Sequence, residues 1–196
     1  MSGATHFSPW NVGYNAVEYV GTKISSTSNT PYFDLSVIPD KNTGIEIVFS
    51  ISDKNYVTNK TIQVLGARNA KSTSTSALGI AGSSSQTTWQ VNIGGTTCES
   101  GFNRAFDKDV RIKIFPQNEN QRKVIFETDL DANVPTATEK TIDCSQITEN
   151  GTLKLYLFTW NGDNAAYSSI RVKYCKIFDG TTLARDLVPC LHSYMS

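Results

Sequence analysis

Several stretches of this chain share a period of two. In GIEIVFSIS, residues 44–52, Ile45, Ile47, Phe49 and Ile51 fall on one side. In VRIKIF, residues 110–115, Val110, Ile112 and Ile114 alternate with Arg111 and Lys113. In YSSIRVKYCKIFDG, residues 167–180, Ile170, Val172 and Tyr174 alternate with Arg171 and Lys173. Side chains two apart share one face of an extended strand, and adjacent ones stand on opposite faces. The pattern predicts strands with an apolar inner side and a polar outer side.

Other segments fit the same scheme. KVIFE, residues 123–127, follows PQNENQ, which reads as a hairpin loop. LKLYLFTW, residues 153–160, sets Leu153, Leu155 and Leu157 against Lys154, Tyr156 and Phe158. A strand apolar on both sides for much of its length is expected to be central and buried. At Lys176-Ile177 the alternation changes sense, which predicts a bulge or bend towards the end of that strand. Asp179-Gly180 makes a turn, because glycine tolerates positive φ, and TLARDLVP, residues 182–189, returns.

Composition agrees. Charged residues are 18% of the chain, below the usual share of about 25%, and 20 Ser and 22 Thr fill much of the gap. Thr suits the extended backbone, and no long helical period interrupts the strands. These features predict an all-β protein, a two-sheet antiparallel jelly-roll sandwich. The Ser/Thr-rich segment 70–88 contains Ala77-Leu78-Gly79-Ile80 and is followed by Trp89, so it is read as an inner strand between loops rather than a linker. One domain is expected over 16–196. An N-terminal arm over 1–15 carries Phe7, Pro9, Trp10 and Tyr14, and so many aromatics should pack on the domain or on a neighbouring subunit.

The formal charge is zero and no Lys/Arg run occurs, so no nucleic-acid partner is expected. No stretch of eighteen apolar residues exists for membrane insertion, and MSGATHFSPWNVGYN lacks the charged start and apolar run of a secretory signal. None of Cys98, Cys144, Cys175 and Cys190 forms a Cys-x-x-Cys pair, and His6 and His192 lie at opposite ends. That spacing gives no zinc site. Four reduced, mostly buried thiols are expected.

The order of several short motifs resembles the concanavalin A-like, LamG-type jelly rolls of phages and gut bacteria. The early pieces are Tyr32-Phe33-Asp34 with Val37-Ile38-Pro39, then Leu65-Gly66-Ala67-Arg68-Asn69 running to Ala77-Leu78-Gly79-Ile80. The late pieces are Leu155-Tyr156-Leu157-Phe158, Asn161-Gly162-Asp163-Asn164, Ser168-Ser169-Ile170-Arg171, Tyr174-Cys175-Lys176-Ile177-Phe178-Asp179 and Leu183-Ala184-Arg185-Asp186-Leu187-Val188-Pro189. The resemblance covers roughly residues 18–190. Such domains continue past the proline with a further strand, whereas here CLHSYMS follows. Either the N-terminal arm supplies that strand or it is lacking.

The resemblance implies a concanavalin A-like sandwich. It points to a non-enzymatic, virion-associated structural or adhesion protein of a bacteriophage, such as a capsid decoration, head fibre or tail component. Assembly in the host cytoplasm would need no export signal. The expected partners are other virion subunits, or a homo-oligomer through the arm, and a cell-surface glycan. The alternative is an extracellular or surface-attached bacterial carbohydrate-binding module, or a fragment of a glycoside hydrolase.

Candidate chemistry is sparse. Sugar binding needs an aromatic platform and a polar rim. Trp160, Asn161, Asp163, Asn164 and Tyr167 supply both within eight residues, with Arg68 and Trp89 expected to approach from neighbouring loops. Glucanases on this fold use Glu-x-Asp-x-x-Glu, but Glu127-Thr128-Asp129-Leu130-Asp131 lacks the last Glu and reads as a turn. A Cys190/His192 pair has no supporting elbow. Calcium occurs in related jelly rolls, and Asn161-Gly162-Asp163-Asn164 and Phe106-Asp107-Lys108-Asp109 offer oxygen ligands, yet both read as ordinary turns. No cofactor is expected.

Overall fold

The structure is a computed structural model. It describes residues 7–8, 15–16, 20–21, 32–54, 61–68, 76–82, 87–144, 152–159 and 169–191. The strands in these ranges are β1 (Phe7–Ser8), β2 (Asn15–Ala16), β3 (Val20–Gly21), β4 (Phe33–Asp34), β5 (Thr43–Ile51), β6 (Ile62–Arg68), β7 (Ser76–Gly82), β8 (Thr88–Ile93), β9 (Thr96–Asn103), β10 (Val110–Asn118), β11 (Gln121–Thr128), β12 (Thr136–Asp143), β13 (Tyr156–Leu157), β14 (Ile170–Asp179) and β15 (Thr182–Leu191). They form two antiparallel sheets in a jelly-roll-like sandwich. The larger, of nine strands, runs β1-β15-β14-β5-β10-β11-β12, with β2 also on β15 and β3 also on β14. The smaller, of six, runs β4-β13-β6-β7-β8-β9.

The alternation places the core where expected. Ile45, Ile47, Phe49 and Ile51 are fully buried, as are Ile112 and Ile114 beside them. Trp89, Val91 and Ile93 of β8 come from the other sheet into the same cluster. Phe49 and Trp89 meet edge to face across the sandwich at 4.8 Å. The Ser/Thr-rich segment does carry an inner strand, β7, held between β6 and β8.

Two expectations need correction. LKLYLFTW is buried at Leu155, Leu157 and Phe158 and has a strand on each side, β4 and β6, but only Tyr156–Leu157 of it forms a strand. Phe158 adopts φ 69°, a left-handed conformation that stops the strand after Leu157. The change of alternation in β14 also comes earlier than the side-chain pattern suggests. The register against β5 slips between Val172 and Tyr174. The extra residue carries Tyr174 to the outer face, and Cys175 and Ile177 point inward.

The turn at Asp179-Gly180 joins β14 to β15. Gly180 has φ 59°, and its amide donates to the Asn42 carbonyl at 2.8 Å. Backbone from the arm pairs with the same strand: Phe7 lies opposite Pro189, and Asn15 opposite Leu191. These short segments therefore pair with β15 at the edge of the chain's own larger sheet. Cys98, Cys144 and Cys175 are free thiols, the last two buried.

One charged residue fixes a glycine. Arg104 is 4% exposed and stacks over Trp89 at 5.8 Å. It lies so close to Gly82 that an added Cβ would come within 2.9 Å of its Cδ. Gly82→Ala is expected to cost about 1–2 kcal/mol by displacing that stack. Urea unfolding of the two proteins measures it.

Candidate functional site

Of the seven predicted ligand residues, Arg68 and Trp89 lie among the described residues. Trp160, Asn161, Asp163, Asn164 and Tyr167 lie outside the described residues. Trp89 is 1% exposed, so its ring offers no face to a sugar. Its alternation with Val91 and Ile93 turns it into the sandwich. Arg68 does not approach it either. Trp89 is level with Gly82 and Ile62, whereas Arg68 pairs with Ser76 at the far end of β6. Six residues of strand separate the two rows by roughly 20 Å.

The structure instead gathers a polar surface on the outer face of the larger sheet. In one row, Phe178 of β14, Gly44 of β5 and Phe115 of β10 are neighbours. The two rings meet at 5.3 Å over Gly44, where a Cβ would stand 3.1 Å from Phe115 and 3.2 Å from Phe178. The next row holds Lys176, Glu46 and Lys113, and the one beyond it Tyr174, Val48, Arg111 and Glu127. These rows arise because most outward positions of four adjacent strands carry polar or aromatic residues, Gly44 and Val48 apart, while the inward ones are apolar apart from Arg122.

Hydrogen bonds tie the rows together. Tyr174 Oη donates to Glu46 Oε1 at 2.5 Å. Arg111 Nε donates to Glu127 Oε2 at 2.5 Å, and Lys113 Nζ lies 3.1 Å from the same oxygen. Partial burial and the Glu46 carboxylate push the Tyr174 phenol well above its ordinary range, so it stays a donor. Partial burial raises the Glu127 carboxyl, but hydrogen bonds from Arg111 and Lys113 outweigh it and hold the group below its ordinary value.

That depression has a consequence for acid stability. The folded-state value lies beneath the unfolded one of 4.5, so the stabilisation is complete above that pH and is lost as pH falls through the folded value. Glu127→Gln is expected to lose about 1 kcal/mol at neutral pH and progressively less as the carboxylate is protonated in acid. Unfolding free energies measured from pH 7 to pH 2 test this; a constant difference would refute it.

At one end the face opens into a cleft of about 660 Å³ lined by Asp107, Asp109, Asp129, Asp131, Arg171 and Lys173. Arg171 pairs with Asp107, Lys173 with Asp109 at 3.4 Å, and Lys108 with Asp129 at 3.2 Å. Asp107 and Asp129 both have positive φ, as turn aspartates tolerate. The Phe106-Asp107-Lys108-Asp109 turn does not fit calcium: its two carboxylates face a guanidinium and an ammonium. Among the described residues no group of three or more His, Cys, Asp or Glu is placed to hold a metal.

No activated nucleophile stands near this face among the described residues. Burial pushes the Cys175 thiol up to about 12 and the Cys98 thiol up to about 11, and raises Cys144 too. Thiols so shifted are poor nucleophiles. His6, His192 and the Cys190 side chain are outside the described residues.

Sequence reasoning had the parts of this face but not their assembly. Arg111 and Lys113 are legible in the sequence as an outward side, and Glu127 only as part of a carboxylate run. No protein-family model matches the chain, and no curated protein matches it.

Proposed function

We propose that the chain is a non-enzymatic, virion-associated structural or adhesion protein of a bacteriophage that contacts saccharide through the outer face of its larger sheet. The observation that carries the binding part is the row order on that face. The Phe115/Phe178 pair offers an apolar platform, and Glu46, Tyr174, Arg111 and Lys113 set hydrogen-bonding groups in the rows beside it. A sugar ring needs that combination, an apolar surface for its CH side and polar groups for its hydroxyls. The motif order, which resembles concanavalin A-like phage jelly rolls, supports the virion part.

The alternative is a bacterial carbohydrate-binding module or a hydrolase fragment. The Glu127 environment disfavours a general-acid role for this residue, because a catalytic acid needs its pKa raised, whereas two cations depress this one.

The test is a glycan array with the native chain and Phe178→Ala, together with light scattering after size exclusion. Saccharide binding that falls about tenfold or more in the variant, by a stable oligomer that decorates particles, is the expected result. Binding by a monomer that ignores particles favours the module. Native binding untouched by Phe178→Ala would remove this face from consideration.

A further inference from the structure

We infer that the saccharide taken by this face is an extended linear chain of about four units, laid along the strands from the phenylalanine pair to the cleft; the inference rests on the saccharide reading above. The pair by itself is a flat platform that covers one side of one ring. Sites that hold a small ligand are concave and bury most of its surface. On this face the concavity lies elsewhere, in the cleft lined by Asp107, Asp109, Asp131, Arg171 and Lys173.

The same strands supply the platform and the cleft. β14 carries Phe178 at one end and Lys173 at the other, about 17 Å apart along an extended strand. β10 carries Phe115, and Asp109 directly precedes that strand. The bulge in β14 sets Lys173 and Tyr174 together opposite Val48, so that both side chains stand on the outer face. Polar groups therefore continue from the Glu46 row into the cleft.

The cleft gives up its own contacts at small cost. Its ion pair between Lys108 and Asp129 is exposed, and exposed pairs contribute little to folding. Asp131 is exposed and makes no hydrogen bond among the described residues. At the same end of β5, Ser50 lies opposite Arg171, buried, with a hydroxyl that has no partner. Carboxylates accept from sugar hydroxyls and ammonium groups donate to them, so the cleft offers both kinds of contact. A disaccharide on the platform stops short of these groups, whereas a tetrasaccharide reaches them.

The experiment titrates the native chain and Asp131→Ala with cello-oligosaccharides, from glucose to cellohexaose, by calorimetry. These chains are extended, and they are neutral because charges of both signs line the face. Native affinity should rise about tenfold from cellobiose to cellotetraose, the worth of one hydrogen bond to a charged group, and change little beyond. Asp131→Ala should remove that rise and leave cellobiose affinity and thermal melting unchanged. Affinity that ignores chain length, or a rise that survives in Asp131→Ala, overturns the chain-length inference while the saccharide face stands. No binding of any cello-oligosaccharide also overturns the chain-length inference, and no binding of any glycan on the array overturns the saccharide reading with it.

Discussion

Trp89→Ala will destabilise the fold by about 3–5 kcal/mol, the range for removing a large buried aromatic. The ring is 1% exposed and packs edge to face on Phe49 of the opposite sheet. It also carries the Arg104 guanidinium. Its loss opens a void between the sheets and leaves a buried cation without its aromatic neighbour. For a chain of this size the melting temperature should fall by roughly 10 °C. Trp89→Phe should lose much less. It keeps an aromatic contact to Phe49 and removes an indole N–H that has no acceptor. Thermal melts of the three proteins decide the matter. An alanine variant that melts like the native chain but loses saccharide binding would put Trp89 back on the surface.

The same tryptophan shows what was legible beforehand. Trp89, Val91 and Ile93 alternate with Gln90 and Asn92 as plainly as the residues of β5 do, and that period alone assigns the ring to the interior. Reading it as a loop residue near a sugar set residue type above period. The inner sides of β5 and β10 were readable because burial of every second side chain writes itself into local sequence. Strand adjacency does not. Glu46 and Tyr174 meet because β5 pairs with β14, a long-range choice that no local pattern encodes. The bulge at Val172/Tyr174 compounds this. It breaks the alternation on the strand that supplies the hydroxyl, and only the register against β5 locates it. The expected loop at 160–168 lies outside the described residues, so the saccharide reading now stands on the sheet face instead.

Arg122→Met is expected to stabilise the protein by about 1–4 kcal/mol, as apolar replacement of a poorly satisfied buried charge does. Arg122 shares the inward side of β11 with Val124 and Phe126 and is 1% exposed. Its Nη1 reaches the Gln121 and Asn118 carbonyls only at 3.2 and 3.4 Å, and Nη2 has no partner. Burial lowers its pKa, which is the electrostatic mark of a cation held away from water with too little compensation. Methionine keeps most of the apolar stem and removes the charge. Alanine also removes the stem, so Arg122→Ala should fall below the methionine variant by about 2 kcal/mol or more through the void it leaves. Urea unfolding of the three proteins at pH 7 separates charge from packing. A methionine variant less stable than the native chain by more than about 2 kcal/mol would mean that the guanidinium holds a partner the fold depends on. A stabilised one would mean that the arginine is kept at a cost to folding.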